Sequence, residues 1–168
     1  MNLLSVGHFQ TVDPPWVQLL VLEQGQLVEL EKELCQIPDF IVRIIDSSKC
    51  TNSRELFSEF ARVLKFPAYF GTNWAALDEC ITDLEWMPGK GYVLLIKNAD
   101  QFLINGSQDD YASFVRIMKK AGEEWSIQQV GEWPRDPTPF HVLLIVSDDK
   151  RQSRAEWAIP EASLEAGR

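Results

Sequence analysis

Residues 66–84 read FPAYFGTNWAALDECITDL, a run in which an aromatic loop leads into an amphipathic helix. Pro67 and Gly71 favour a tight turn, because proline fixes its own φ angle and glycine tolerates angles that other residues avoid. From Trp74 onward, apolar residues recur at helical spacing. These positions are Trp74, Leu77, Ile81 and Leu84. The stretch therefore predicts a loop followed by a helix that buries one face.

The opposite face of this predicted helix is acidic. It carries Asp78, Glu79 and Asp83, with Thr82 among them and the small Ala75 one turn earlier. Tyr69 and Asn73 precede it in the loop. From the charge pattern alone, such a face is more often only the solvated side of a helix, and loop aromatics are commonly structural.

A spaced set of residues in this run carries a family resemblance. The set comprises Pro67, Tyr69, Phe70, Gly71, Asn73, Ala76, Leu77, Cys80, Ile81 and Thr82. In register, it resembles the central segment of the barstar family of small intracellular ribonuclease inhibitors, and the order of predicted elements extends the resemblance over residues 40–147. At two positions where the family usually has aspartate, this chain has Ala75 and Glu79.

The resemblance implies an α/β fold with a small parallel β-sheet packed with helices, here with an added N-terminal strand and helix. It also implies a cytoplasmic inhibitor or immunity protein that blocks the cationic active site of a basic ribonuclease and is monomeric when free. The contact residues implied are Tyr69, Gly71, Asn73, Trp74, Ala75, Glu79 and Thr82, and the acidic face of the helix adds Asp78 and Asp83 as candidates. Glu79 is expected to be the binding hot spot, because it alone keeps a carboxylate where the family uses one.

The rest of the chain predicts alternating strands and helices. Continuous apolar runs at residues 16–22, 40–45, 92–96 and 141–146 are typical of buried parallel strands. One helix is predicted over residues 26–36. A second begins at a capping pair formed by Asn52 and Glu55, and a third contains Phe114 and ends at Gly122. This order predicts one parallel sheet with both termini outside the core.

Three segments lack a regular pattern. Residues 1–15 are interpreted as an arm that lies over the surface or is partly disordered. Residues 149–168 are interpreted as a short helix that covers the edge of the sheet or as a segment without fixed structure. The connection over residues 125–139 is long and contains Trp133, a combination that is often functional. We expect one domain over residues 1–168, with an N-terminal extension (1–38), a core (39–148) and a polar tail (149–168).

Composition narrows the function classes. A net charge of −9 in 168 residues argues against nucleic acid and favours plain solubility or a basic partner. No apolar run approaches the roughly 20 residues that span a bilayer, and the N-terminus lacks a signal-peptide pattern, so an intracellular, membrane-free protein is expected. Cys35, Cys50 and Cys80 fit neither a disulfide framework nor a zinc pair, which predicts reduced thiols.

No catalytic residue, metal or cofactor is predicted. His8 and His141 have no partner at ligand or triad spacing, and no phosphate-binding glycine loop follows any strand. Two alternatives stay open. Asp46, Asp100, Asp148 and Asp149 follow strands and could serve a receiver-like or metal-dependent α/β protein. The other alternative is a general protein-interaction module that keeps the fold but no longer binds a nuclease, since Ala75 lacks an expected charge.

Overall fold

A computed structural model of the chain describes residues 2–164. Its strands are β1 (Asn2–Leu4), β2 (Val17–Val21), β3 (Phe40–Asp46), β4 (Gly91–Lys97), β5 (Phe140–Val146) and β6 (Glu161–Leu164). Its α-helices are α1 (Gln24–Cys35), α2 (Ser53–Val63), α3 (Trp74–Asp83) and α4 (Gln108–Trp125). Among these residues, the six strands form one parallel sheet in the order β1-β6-β2-β5-β4-β3. No helix within residues 2–164 has the length and apolar character needed to cross a bilayer.

The predicted α/β class and parallel sheet are confirmed, and the four apolar runs coincide with β2, β3, β4 and β5. Along β4, Leu94 and Ile96 face one hydrophobic core, whereas Val93 and Leu95 face another. Successive side chains of a strand point to opposite faces, so a strand covered on both faces needs an unbroken apolar run. This is why the central strands show no polar alternation.

Helices cover both faces of the sheet. On one face, α2, α3 and α4 contribute Phe60, Ile81 and Phe114 to the larger core. On the other face, Leu30 and Leu34 of α1 form a smaller core with the sheet. Burying one such side chain contributes roughly 1.5–3 kcal/mol, so α3 is held by its apolar face and leaves the other for contacts.

The predictions for the two ends of the chain were wrong. In place of a surface arm, residues 2–15 form β1 and a 3-10 helix, Val6–Gln10, whose Phe9 is fully buried. In place of a helix or an unfixed tail, β6 enters the sheet between β1 and β2. Both ends therefore join the sheet. Met1 and residues 165–168 lie outside the described residues.

Gly122 was predicted to end α4, but the helix continues through it to Trp125. A Cβ at this position would lie 2.3 Å from the Cβ of Trp16, which no real structure tolerates. Gly122 therefore lets α4 approach the segment that leads into β2, and its role is close packing rather than helix termination.

Candidate functional site

The loop before α3 is held from its inner side by aromatic contacts. The rings of Phe66 and Phe70 lie 4.9 Å apart, and those of Phe57 and Trp74 also lie 4.9 Å apart, both pairs edge to face. Trp74, the first residue of α3, is therefore half-buried and packs against Phe57. Tyr69, at the tip, has 68% of its surface exposed. The loop thus presents one aromatic side chain outward on a rigid base.

Asn73 fixes the start of α3. Its Oδ1 accepts a hydrogen bond from the backbone N–H of Ala76 at 2.8 Å, and its Nδ2 donates to the carbonyl of Gly71 at 3.0 Å. A cap of this kind contributes roughly 0.5–2 kcal/mol to helix stability. Because the oxygen and the nitrogen of the amide each bond to the backbone, Asn73 positions the loop relative to the helix.

The predicted acidic face does not form one exposed row. Glu79 is exposed, and Ala75 lies one turn before it, also exposed. Asp78, in contrast, places its Oδ2 2.8 Å from Lys120 Nζ of α4, and only 25% of its side chain is exposed. Placing Asp78 on an exposed row was wrong, because this residue lies where α3 packs against α4. Glu79 and Asp83 are the carboxylates of α3 outside that contact.

The end of α3 is capped by residues that are distant in sequence. The Nη1 of Arg135 donates to the carbonyl of Thr82 at 2.7 Å, and the indole Nε1 of Trp125 donates to the carbonyl of Ile81 at 3.0 Å. The last turn of α3 has no basic residue of its own. Arg135 therefore supplies the cation that the negative end of the helix dipole favours. The hydroxyl of Thr82 donates within the helix, to the carbonyl of Asp78 at 2.9 Å.

The connection after α4 is ordered as a short hairpin, residues 127–135. Gln129 and Arg135 exchange two backbone hydrogen bonds, of 2.8 and 3.1 Å. The guanidinium of Arg135 lies 3.5 Å from the ring centroid of Trp125, a cation–π contact. Sequence reasoning marked this connection as a candidate but missed Arg135 and Lys120, because no local pattern distinguishes a capping cation from a surface one.

Electrostatics link the loop to the acidic helix. The pKa of Tyr69 is raised, first by partial desolvation and then by the charges of Asp83, Glu85 and Glu79. The negative charge at and just after the end of α3 therefore acts on the exposed tip of the loop. Burial and the charge of Glu79 also raise the pKa of the Cys80 thiol, which keeps it neutral and fits the prediction of a packed, unreactive cysteine.

Among residues 2–164, the acids at the strand ends do not form a metal-binding group. Asp46 accepts a hydrogen bond from the backbone of Ser48 at 3.0 Å; burial alone would raise its pKa, but bonds from Ser48 and Asn98 lower it. Asp100 and Asp149 line a separate cleft of about 480 Å³, to which Asp46 does not contribute. Among residues 2–164, no three His, Cys, Asp or Glu side chains are grouped closely enough to hold a metal ion.

A comparison with protein families matches the central part of the chain. The model of the family described as "Barstar (barnase inhibitor)" matches residues 40–145, from the start of β3 almost to the end of β5, with α2, α3 and α4 between them. Among the curated proteins searched, none matches the chain. The matched part exceeds half of the 168 residues and contains the loop and helix described above. It confirms the resemblance carried by residues 67–82, and the chain belongs to the barstar family.

Proposed function

We propose that this chain inhibits a basic ribonuclease by placing α3 and the preceding loop in the cationic active site of that enzyme. The observation that carries the proposal is Glu79, a carboxylate exposed on a helix that is fixed at both ends. A ribonuclease must hold RNA phosphates with cations, and a carboxylate in their place forms charge-assisted hydrogen bonds with the same Arg and Lys side chains. On this proposal the chain is an inhibitor without catalytic activity of its own.

The contact residues divide by role. Glu79 meets the catalytic cations of the partner, Tyr69 supplies an aromatic contact, and Asp83 lies toward the rim. Gly71, Asn73, Trp74 and Thr82 shape the surface, since their side chains or backbones are engaged in the loop and helix contacts. Asp78 leaves the proposed contact set because Lys120 already neutralises it.

Rigidity supports the proposal as much as charge does. Association loses part of its free energy to ordering side chains and loops, so a surface that is already fixed binds more tightly for the same contacts. Here the aromatic base, the Asn73 cap and the Arg135 cap hold the loop and both ends of α3 before any partner arrives.

Ala75 favours a second candidate, a protein-interaction module on the same fold with a partner other than a nuclease. This position is exposed and uncharged one turn before Glu79. The surface thus offers a single carboxylate where the family usually offers two. We also keep as proposals that the chain is one domain, monomeric when free, and cytoplasmic, as the family resemblance implies.

An inhibition assay tests the proposal. Purified protein is added to barnase, the nuclease that the description of the matched family names, and to a panel of basic microbial ribonucleases. RNA cleavage is then followed. We expect one-to-one inhibition of at least one enzyme, no RNA cleavage by the protein alone, and no change when Mg²⁺ is added. RNA cleavage by the protein alone that disappears in Asp46→Ala or Asp100→Ala would instead support the metal-dependent alternative.

A further inference from the structure

Exposed apolar side chains concentrate around α3. In the described residues, the large hydrophobic side chains with more than half of their surface exposed are Val28, Tyr69, Ile104, Ile127, Val130 and Trp133. Three of these six lie on the 127–135 hairpin, and Tyr69 lies on the loop before α3. Single exposed apolar residues are ordinary, and what distinguishes Trp133 within this set is that it lines a groove beside the end of α3.

The hairpin and the end of α3 enclose a groove of about 980 Å³. Tyr92 and Trp125 are part of its lining, Trp133 stands on the hairpin side, and Asp83 and Glu85 stand on the side of α3. Trp133 has 82% of its surface exposed. It lies between Gln129 and Arg135, whose backbones are hydrogen-bonded to each other. The groove therefore combines aromatic surface with carboxylates.

The charge of the groove selects the chemistry of its occupant. Within residues 2–164, neither Asp83 nor Glu85 forms an ion pair. Asp83 Oδ1 accepts only a long bond from the backbone of Glu85, at 3.3 Å. Arg135, the cation of the lining, is directed to the carbonyl of Thr82 and the ring of Trp125. An arginine or lysine of a partner would find two unpaired carboxylates beside an exposed indole.

The hairpin is fixed before binding. Besides its own two backbone bonds, the side chain of Gln129 donates to the carbonyl of Glu124 at 3.3 Å, and the N–H of Thr138 donates to the carbonyl of Trp125 at 2.8 Å. The groove also adjoins the proposed contact face, because Thr82 and Asp83 of α3 line the groove and belong to that face. The proposed contact surface thus extends from α3 to Trp133 on the hairpin.

We propose that the groove between α3 and the 127–135 hairpin is a second contact region for the same basic ribonuclease, an inference that rests on the proposed function. Trp133 stacks on a guanidinium or ammonium group of the enzyme, and Asp83 and Glu85 pair with its charge. A planar guanidinium suits this site best, since it stacks on aromatic faces and donates to carboxylates at the same time. Exposed tryptophan is also the residue type most enriched at binding hot spots.

The test is calorimetric titration of barnase into the native chain and into the variants Trp133→Ala, Val130→Ala and Glu79→Ala. Each of these four proteins is also measured with Ala75→Asp added. Trp133→Ala should weaken binding by about tenfold or more, because an aromatic anchor is lost. Val130→Ala is the matched control: Val130 is 85% exposed on the same hairpin but does not line the groove. We expect it to change affinity by less than about twofold, as for a surface position without contacts. Glu79→Ala measures the contribution of the α3 contact to the affinity, independently of the hairpin.

A second readout places the contact directly. The chain has six tryptophans, and their indole N–H signals can be followed by NMR during the titration. The Trp133 signal, identified by its loss in Trp133→Phe, should shift, whereas that of Trp16, which lies against Gly122 on α4, should not. Equal thermal stability of Trp133→Ala and the native chain would exclude unfolding as the cause of weaker binding.

The outcomes separate the two proposals. Weaker binding by Glu79→Ala with no effect of Trp133→Ala and no shift of its signal would overturn the hairpin contact and leave the proposed function intact. Unchanged affinity in both variants would overturn both proposals. Failure of barnase and of every other ribonuclease of the panel to bind either the native chain or its Ala75→Asp form would overturn the proposed function, and the hairpin contact would fail with it.

Discussion

Asp78 on α3 and Lys120 on α4 form an ion pair, with 2.8 Å between Oδ2 and Nζ. The pair joins the proposed binding helix to the helix that leads into the 127–135 hairpin. Asp78 Oδ1 is buried without a hydrogen-bond partner among the described residues, so the pair with Lys120 on α4 is the polar contact of this side chain. Its neighbour Glu79 is exposed. Two adjacent acids on one helix therefore have different roles, one structural and one available to a partner.

Replacing Asp78 should affect stability and not binding. Asp78→Asn removes the charge that faces Lys120, and we expect a small loss of stability, because partly exposed ion pairs contribute little. Affinity for a basic ribonuclease should be unchanged. Urea unfolding of Asp78→Asn, Lys120→Met and the double variant measures the coupling of the pair. A marked loss of affinity without loss of stability would return Asp78 to the contact surface.

Replacing Glu79 should affect binding and not stability. Glu79→Ala leaves buried cations of the nuclease unpaired, and we expect a loss of roughly 2–5 kcal/mol in binding free energy. Asp83→Ala, near the rim, should lose less than about 1 kcal/mol. Calorimetric titration of both variants gives the comparison. Equal, small effects for the two residues would mean that Glu79 is not the hot spot.

Restoring the missing charge should change specificity. Ala75→Asp adds a second carboxylate one turn before Glu79 and should strengthen binding to barnase, while a natural partner adapted to Ala75 gains nothing or binds more weakly. The control is Ala112→Asp, the same change at an exposed position of α4 away from this surface. Inhibition constants for both variants separate a local effect from one of added net charge.

Association should depend on salt. The chain has a net charge of −9, and its exposed acids face a basic partner, so the association rate should fall as ionic strength rises. Stopped-flow measurements between low and physiological salt give the slope. Glu79→Gln should reduce it, and Trp133→Ala should leave it unchanged while speeding dissociation. Rates independent of salt would exclude electrostatic steering by Glu79 and Asp83.

His141 should make stability pH-dependent. Burial lowers its pKa from the ordinary 6.5 to about 4, and its Nε2–H donates to the carbonyl of Thr11 at 2.8 Å. Between these two values the unfolded chain binds a proton that the folded chain excludes. Stability is therefore complete above about pH 6.5 and falls as the pH drops toward 4, by roughly 3 kcal/mol.

Urea unfolding at several pH values checks this prediction. In His141→Asn, the loss of stability between about pH 6.5 and pH 4 should be smaller than in the native chain, because the titrating group is gone. His8→Asn is the comparison variant: the ring of His8 lies 4.9 Å from that of His141 and its charge helps to lower the pKa of His141, so this variant should lose somewhat less stability than the native chain but more than His141→Asn. Identical pH profiles for all three proteins would show that His141 does not govern the acid sensitivity.

The sequence by itself determined the parts that local chemistry controls. The Asn52 cap of α2, the apolar stripe of α3 and the unbroken apolar runs of β3, β4 and β5 are each readable within a few residues, because helix starts, buried faces and central strands impose short-range patterns. The loop, the helix and the parallel sheet that carries them follow from these patterns.

Only the tertiary structure decided the rest. β1 and β6 join the sheet through backbone pairing, which has no side-chain signature in so short a segment. The Asp78–Lys120 pair spans 42 residues, and the bond from Arg135 to Thr82 spans 53. Whether an acid on a helix is exposed or paired, and whether a loop arginine caps another helix, depends on which surfaces the packed core brings together. That is why Glu79 and Asp78, adjacent and alike in sequence, differ in the folded chain.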